Sequence, residues 1–218
     1  KFFKKSTERA CSYWLPMIQD LKGIIIGGPG ATKDFVIRND YFHHEIKKLI
    51  REPFFDVGYS NESGLRELIQ RAGGLMDQIE LDVERKMVDI FLREVMQPHP
   101  KATYGESMIR AALEQGAVET LLLSESISKR RVHWSCKACK NTWESTQNSL
   151  SDVPRCPECK SDEVFDDPEK TVDLIDELSI LAERTSSKVR LISLDTEEGA
   201  TLDAAFGGIA AILRYAWS

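Results

Sequence analysis

Gly23-Ile24-Ile25-Ile26-Gly27-Gly28-Pro29-Gly30-Ala31-Thr32-Lys33 reads as a short strand running into a tight turn. Three consecutive β-branched isoleucines favour a pleated, buried segment. Gly27-Gly28-Pro29-Gly30 then forms a turn that only glycine-rich backbone accepts. Upstream, Phe2, Phe3, Ala10, Tyr13, Trp14, Met17, Ile18 and Leu21 place a broad apolar face along residues 1 to about 20, which predicts an amphipathic helix. Downstream, Asp40 is placed to cap a helix through Arg51, and Phe55-Asp56-Val57-Gly58-Tyr59 reads as a second strand. Ser63 is expected to cap a helix through Leu65, Leu68 and Ile69 that Gly73-Gly74 stops. Leu75 to Met96 is expected to be a long helix with Ile79, Val83, Met87, Ile90 and Val95 on one stripe. Helices alternating with short apolar strands indicate an α/β fold.

The turn is not a nucleotide loop. Lys33 follows Thr32 rather than Gly, and Asp34 stands where Ser or Thr would hold Mg²⁺. Gln97-Pro98-His99-Pro100 forbids helix and strand pairing alike, and marks the expected domain boundary. Beyond it the same alternation resumes. A helix is expected over Gly105 to Gln115, with Met108, Ala111 and Ala112 inward, and a buried strand over Val118 to Leu123. A helix over Glu169 to Arg184, a strand from Val189 to Ser193 and an apolar segment from Gly208 to Tyr215 follow. The sum is two α/β sandwich domains, residues 1–100 and 101–218.

A length of 218 residues allows one or two domains of this kind. A net charge of −6 excludes a globally basic nucleic-acid coat, but the charge lies in blocks. Residues 1–51 carry ten Lys/Arg against five Asp/Glu, and residues 129–160 seven against three. Residues 52–128 and 161–198 are strongly acidic, so phosphate contacts at two spots and protein contacts elsewhere are expected. No apolar run approaches the roughly 18 residues of a membrane span. With no signal or transit pattern, a cytoplasmic location is expected.

Cys136-Lys137-Ala138-Cys139 and Cys156-Pro157-Glu158-Cys159 form a C-x2-C-x16-C-x2-C pattern, the spacing expected of a zinc site. Two intervening residues let a tight turn aim both sulfurs at one ion, and two such knuckles complete a tetrahedral S4 shell. Four protein ligands leave no position for water, so a bound Zn²⁺ is expected to be structural. Trp143 and Val164-Phe165 supply the apolar sheet of a zinc ribbon spanning residues 131–168. His133 is expected to be a bystander and Cys11 a small core residue. Lys33, Lys47, Lys48 and Arg51 are candidates for an RNA-facing patch. His43-His44-Glu45 is no metal motif, because adjacent helical side chains do not face one site. No Ser/His/Asp set or paired-acid signature is present, so no enzymatic activity is expected of this chain.

Gly23 to Phe35 followed by Phe55-Asp56-Val57-Gly58-Tyr59 resembles the middle domain of archaeal class I peptide chain release factors. Ala111 to Leu122 resembles the start of their third domain, and Phe206-Gly207-Gly208-Ile209-Ala210-Ala211-Ile212-Leu213-Arg214-Tyr215 their C-terminal signature. The resemblance implies an RNase H-like or ribosomal-protein-like middle domain, a ribosomal-protein-like third domain and a ribbon-like minidomain. It also implies action in the ribosomal A site, where such factors read stop codons and trigger peptidyl-tRNA hydrolysis. Their decoding motif, Asn-Ile-Lys-Ser, and their catalytic Gly-Gly-Gln do not occur here: the Gly-Gly pairs precede Pro29, Leu75 and Ile209. A fragment beginning beyond the catalytic loop is therefore expected. The implied partners are ribosomal RNA and the peptidyl-tRNA environment, a translational GTPase of the elongation factor 1-alpha type, and an ABC-type recycling ATPase. Gly207, Gly208, Ile209, Arg214 and Tyr215 are the candidate partner-binding residues. Pelota-type rescue factors, which share these domains and need no Gly-Gly-Gln, are the alternative. A free-standing zinc-ribbon interaction module is a third reading, disfavoured by the −6 charge and the large α/β remainder.

Overall fold

A computed structural model describes residues 2–148 and 153–216. Lys1 of the first expected helix and positions 149–152 of the expected ribbon lie outside the described residues. The chain divides into two compact units, Lys1–Val83 and Glu84–Ser218. No described helix is long and apolar enough to cross a membrane.

The first unit opens with α1 (Phe2–Trp14), which a 3-10 turn at Leu15–Met17 ends where Pro16 removes a backbone donor. β1 (Ile24–Gly28) is the expected isoleucine strand. α2 (Thr32–Arg38) and α3 (His44–Leu49) then cross to β2 (Ile50–Asp56), which pairs parallel to β1. α4 (Glu62–Arg71) follows, and α5 (Gly73–Val95) begins in this unit. Cys11, Ile24 and Ile46 are its buried centre, with Trp14, Leu21, Phe42 and Ile50 packed around them. Cys11 is thus the core residue expected.

Local chemistry moved several boundaries. The single helix expected from Asp40 to Arg51 is replaced by α3 alone. Asp40 adopts φ 54°, and the His43 imidazole caps α3 by accepting from the Glu45 N–H at 3.3 Å. Arg51 lies in β2, not on a helix. β2 also ends at Asp56, so it occupies an earlier stretch than Phe55 to Tyr59. Its Arg51-Glu52-Pro53 segment offers no apolar alternation to mark it. Asn61, not Ser63, caps α4, its Oδ1 accepting from the Ser63 and Gly64 N–H groups at 3.1 and 3.3 Å. Gly73-Gly74 starts α5 instead of stopping α4. Gly64 is demanded by contact: a Cβ there would lie 1.8 Å from the Tyr59 carbonyl oxygen.

In the second unit β3 (Ala102–Tyr104), β4 (Val118–Ser124), β9 (Lys188–Ile192) and β10 (Ile209–Leu213) make one sheet in the order β3-β10-β4-β9. β10 runs antiparallel to β3 and β4, and β4 parallel to β9. On one face α6 (Glu106–Glu114) and α7 (Leu174–Arg184) bury Ile109, Leu113, Leu174 and Leu178 against Leu121 and Leu123. On the other, the end of α5 and α8 (Glu197–Phe206) bury Val88, Phe91 and Leu202 against Leu122. A strand covered on both faces must be apolar throughout, which is why Leu121-Leu122-Leu123 is continuous.

Val88 and Phe91 are fully buried in this second core. The division between units therefore falls inside α5, ahead of the Gln97–Pro100 break expected as the boundary. Met108 is 48% exposed, and Ile109 with Leu113 faces inward in its place. The expected helix from Glu169 begins only at Leu174, because Asp173 caps it, its Oδ1 accepting from the Ile175 N–H at 2.9 Å. β3 and α8 had no counterpart in the sequence reading.

Candidate metal centre

Between β4 and α7 the chain leaves the α/β layers as β5 (Arg130–Cys136), β6 (Thr142–Gln147), β7 (Val164–Asp166) and β8 (Val172–Asp173). β5 is central, flanked by β6 on one edge and by β7 and β8 on the other. Trp134 pairs across to Trp143 and Cys136 to Val164, so the expected Trp143 and Val164 lie in this sheet, whereas Phe165 is 46% exposed and Trp134 takes the buried place. Trp134 is 1% exposed, and its indole N–H donates to Ser145 Oγ at 2.8 Å. That bond satisfies the one polar atom the ring carries inside.

The four cysteines meet at one end of this sheet, with all Sγ atoms within 4.8 Å of one another. Cys136 and Cys159 approach to 3.6 Å and Cys139 and Cys156 to 3.5 Å. These separations are far beyond the roughly 2.05 Å of a disulfide. They match the edge of a tetrahedron about 3.8 Å long that four sulfurs 2.3 Å from one centre would form. The two knuckles are built alike. The Lys140 N–H donates to the Cys136 carbonyl and the Lys160 N–H to the Cys156 carbonyl, both at 3.0 Å. Lys140 and Lys160, each following the second cysteine of its pair, take φ 63° and 58°. Left-handed backbone at equivalent positions reverses the chain so that both sulfurs of a pair point the same way.

The thiols are electrostatically coupled. Burial raises the Cys156 pKa, but N–H donors from Cys159 and Glu158, with the neighbouring thiols, outweigh it and bring the group down to about 6 from an ordinary 9.0. At Cys139 the Asn141 N–H lowers the pKa, yet burial and the hydrogen bonds with Cys156, Cys159 and Cys136 push it up to about 12. Cys159 is raised as well, its Ser161 N–H donor opposed by burial and by thiol neighbours. One thiol ionises readily and its anion holds the others' protons, so the steps belong to the cluster. A thiophilic cation would displace those protons together. His133 is not part of this set, as expected. Its Nδ1 is buried without a hydrogen-bond partner.

An ion-pair network that motif reading missed ties this sheet to the α/β layers. Arg110 donates two bonds to Glu177, at 2.9 and 2.6 Å, and a third to Glu106 at 2.9 Å. Glu106 also accepts from Thr146 of β6 at 2.5 Å and lies 3.7 Å from Arg131 of β5. Arg110 is raised despite burial because both carboxylates hold its charge. Only spacing within α6 (Glu106 and Arg110 one turn apart) signals any of this in sequence.

The RNA candidates do not form one open patch. Lys33 is turned inward, donating to the Gly30 carbonyl at 2.8 Å and to Asp56 at 2.5 Å. Lys47 pairs with Asp40 at 2.5 Å and Lys48 with Glu45 at 2.7 Å, side by side on α3. Arg51 lies in β2 and not on α3.

The whole chain matches two consecutive family models: eRF1 domain 2 over residues 1–80 and eRF1 domain 3 over residues 81–217. The chain belongs to the eRF1 family. A similar eRF1-type relative is "Peptide chain release factor subunit 1" of Pyrococcus abyssi, 42% identical over 225 residues, covering 99% of this chain and 53% of the relative. The chain thus spans about half the length of the curated relatives it matches. Among solved structures, the "C-terminal domain of Peptide Chain Release Factor from Methanosarcina mazei" is 38% identical with a TM-score of 0.60, over 72% of this chain and 98% of that one. A ribosome-bound archaeal Pelota, solved with ABCE1, shares the fold at 20% identity and a TM-score of 0.59, over all of this chain and 49% of its own.

The terminal residues of the eRF1 domain 3 match are mostly structural. Gly207, at φ 70°, caps α8, and Gly208 follows at φ 77°, where a Cβ would lie 3.0 Å from that of Ser124. Ile209 is 2% exposed inside the sheet. The Arg214 guanidinium donates to the carbonyls of Gly116, Thr185 and Ser186 at 3.0, 2.9 and 3.1 Å. It thereby closes the C-terminal ends of α6 and α7 together. Tyr215, 48% exposed, is the one candidate of this group with a free ring.

Proposed function

We propose that the chain works within a translation termination factor, as the part that contacts the ribosome and the factor's delivery and recycling partners. The observation that carries this is the unbroken match to eRF1 domains 2 and 3, with 42% identity to a peptide chain release factor subunit 1. Pelota-type rescue factors share the fold at 20% identity, which favours the release-factor reading. Without Gly-Gly-Gln the chain by itself hydrolyses no peptidyl-tRNA. Lys47 and Lys48 remain candidates for ribosomal RNA, and Tyr215 for the elongation factor 1-alpha-type GTPase or the ABC-type ATPase.

The cysteine set fits Zn²⁺. Four sulfurs at tetrahedral spacing favour zinc over oxygen-loving cations, and a closed shell makes the ion a structural one. The segment from β5 to β8 is then a zinc ribbon inserted in the second unit.

The test is co-sedimentation of the chain with archaeal ribosomes, alongside pull-down by the cognate GTPase. Retention in both, with Tyr215→Ala lost from the pull-down alone, supports the assignment. A chain that meets neither partner overturns it. Metal analysis of the purified protein checks the ribbon: one zinc per chain is expected.

A further inference from the structure

The outward face of α1 carries chemistry that the first unit's own packing leaves unused. At about 100° per residue, Phe2, Lys5, Ser6, Arg9, Ser12 and Tyr13 share one stripe. All six are exposed, opposite the buried Thr7 and Cys11. No acid interrupts the stripe, since Glu8 lies on the flank beside Lys4, 4.0 Å away. Among the described residues Lys5 and Arg9 have no acidic partner, whereas Lys33, Lys47 and Lys48 all do. Lys5 and Arg9 thus set two uncompensated positive charges one turn apart on this face. Phe2 is 75% and Tyr13 64% exposed, at the two ends of the stripe. Ser6 and Ser12 turn their hydroxyls back to the Phe2 and Arg9 carbonyls, which leaves the surface between the rings smooth.

We infer that this face binds single-stranded or looped RNA, with Lys5 and Arg9 against neighbouring phosphates and Tyr13 and Phe2 as platforms for unstacked bases. Lys5 and Arg9 are four residues apart, about 6 Å along the axis, the scale of successive phosphates in an extended strand. Free cations between exposed rings are the combination that holds a single strand without reading its sequence. A duplex would satisfy the cations but present no base face to either ring. The ribosomal reading supplies only the source of the RNA.

The probe is a fluorescent oligoadenylate of about a dozen nucleotides, followed by anisotropy across about 50 to 200 mM salt. Binding is expected, with a duplex of equal length bound more weakly. Lys5→Glu with Arg9→Glu should lower the salt slope by about 1.4, the share of two phosphate contacts on a single strand. Tyr13→Ala should weaken binding about five-fold or more at every salt concentration, and Tyr13→Phe should restore it. A control carrying Lys86→Glu and Lys101→Glu makes the same charge change elsewhere and should bind as the parent does. Absence of RNA binding, or equal loss in the control, overturns the inference. So does binding to phosphatidylserine vesicles that the α1 variants abolish while RNA binding persists. A chain that binds the oligonucleotide through α1 yet fails to sediment with ribosomes sinks the proposed function and leaves this inference standing.

Discussion

Arg214 shows how a residue beside a glycine pair and an apolar strand can hold a fold together. Its three charge-assisted bonds satisfy carbonyls at the ends of two helices, where no intrahelical donor remains. Arg214→Ala should lower stability by roughly 1–2 kcal/mol, the exposed position discounting the gross bond energy. Urea titration is the check, and Arg214→Lys should recover only part, since an ammonium cannot fork to three acceptors. Lys33 gives a second test at this scale. It lowers the Asp56 pKa by hydrogen bond and charge. A depressed carboxyl contributes stability that is full above its unfolded value and is lost as pH falls through the folded one. The stability gap between the parent and Lys33→Met should hold near neutrality and close as pH drops below the ordinary 3.8. A gap that persists in acid would show that packing, not the ion pair, is what Lys33 supplies.

At the scale of elements, the sheet of β5 to β8 and the α/β layers are built from different side chains. The sheet around β5 has Trp134 for a core and four thiols at its tip; the layers have two extensive apolar faces. Cys136→Ser, or chelation, should therefore abolish structure in residues 131–168 while the rest of the second unit stays folded. Hydrogen exchange would resolve the two parts, and simultaneous loss of protection in both would count against the separation. The cysteine pairing was legible because metal geometry tolerates little variation in spacing. Ile24 to Ile26 and Leu121 to Leu123 were legible as short apolar runs bounded by polar or turn residues. β2 was misplaced because its polar Arg51-Glu52-Pro53 gives no period to follow. β3, three residues long, and α8, whose burial rests on Leu202 and Phe206 more than on any stripe, escaped for the same reason. The Glu106–Arg110–Glu177 network joins residues far apart in sequence, which no local pattern reveals.

For the molecule as a whole, the boundary matters most. Prolines at 98 and 100 mark where a helix must stop, but burial decides to which unit that helix belongs. Phe91 and Val88 fill the core beneath Leu122 and Leu202. A chain starting at Glu84 should melt cooperatively by itself, while one starting at Lys101 should be several kcal/mol less stable or fail to fold, since removing even one buried Phe costs about 3–5 kcal/mol. Circular dichroism melts of the two fragments decide the matter, and equal melting temperatures would restore the boundary to the prolines.

The placement of β10 has a consequence for biosynthesis. β10 is an interior strand, hydrogen-bonded to β3 on one side and β4 on the other, and is made after both. While the residues of β10 are still in the exit tunnel, β3 and β4 each face an empty lane. The second unit must therefore wait for β10 before its sheet can close, whereas β1 and β2 are already out and able to pair. A nascent chain stalled just short of Ile209 would expose its Leu-rich β4 edge to chaperones, and a premature stop there would remove the middle of the sheet and not its margin.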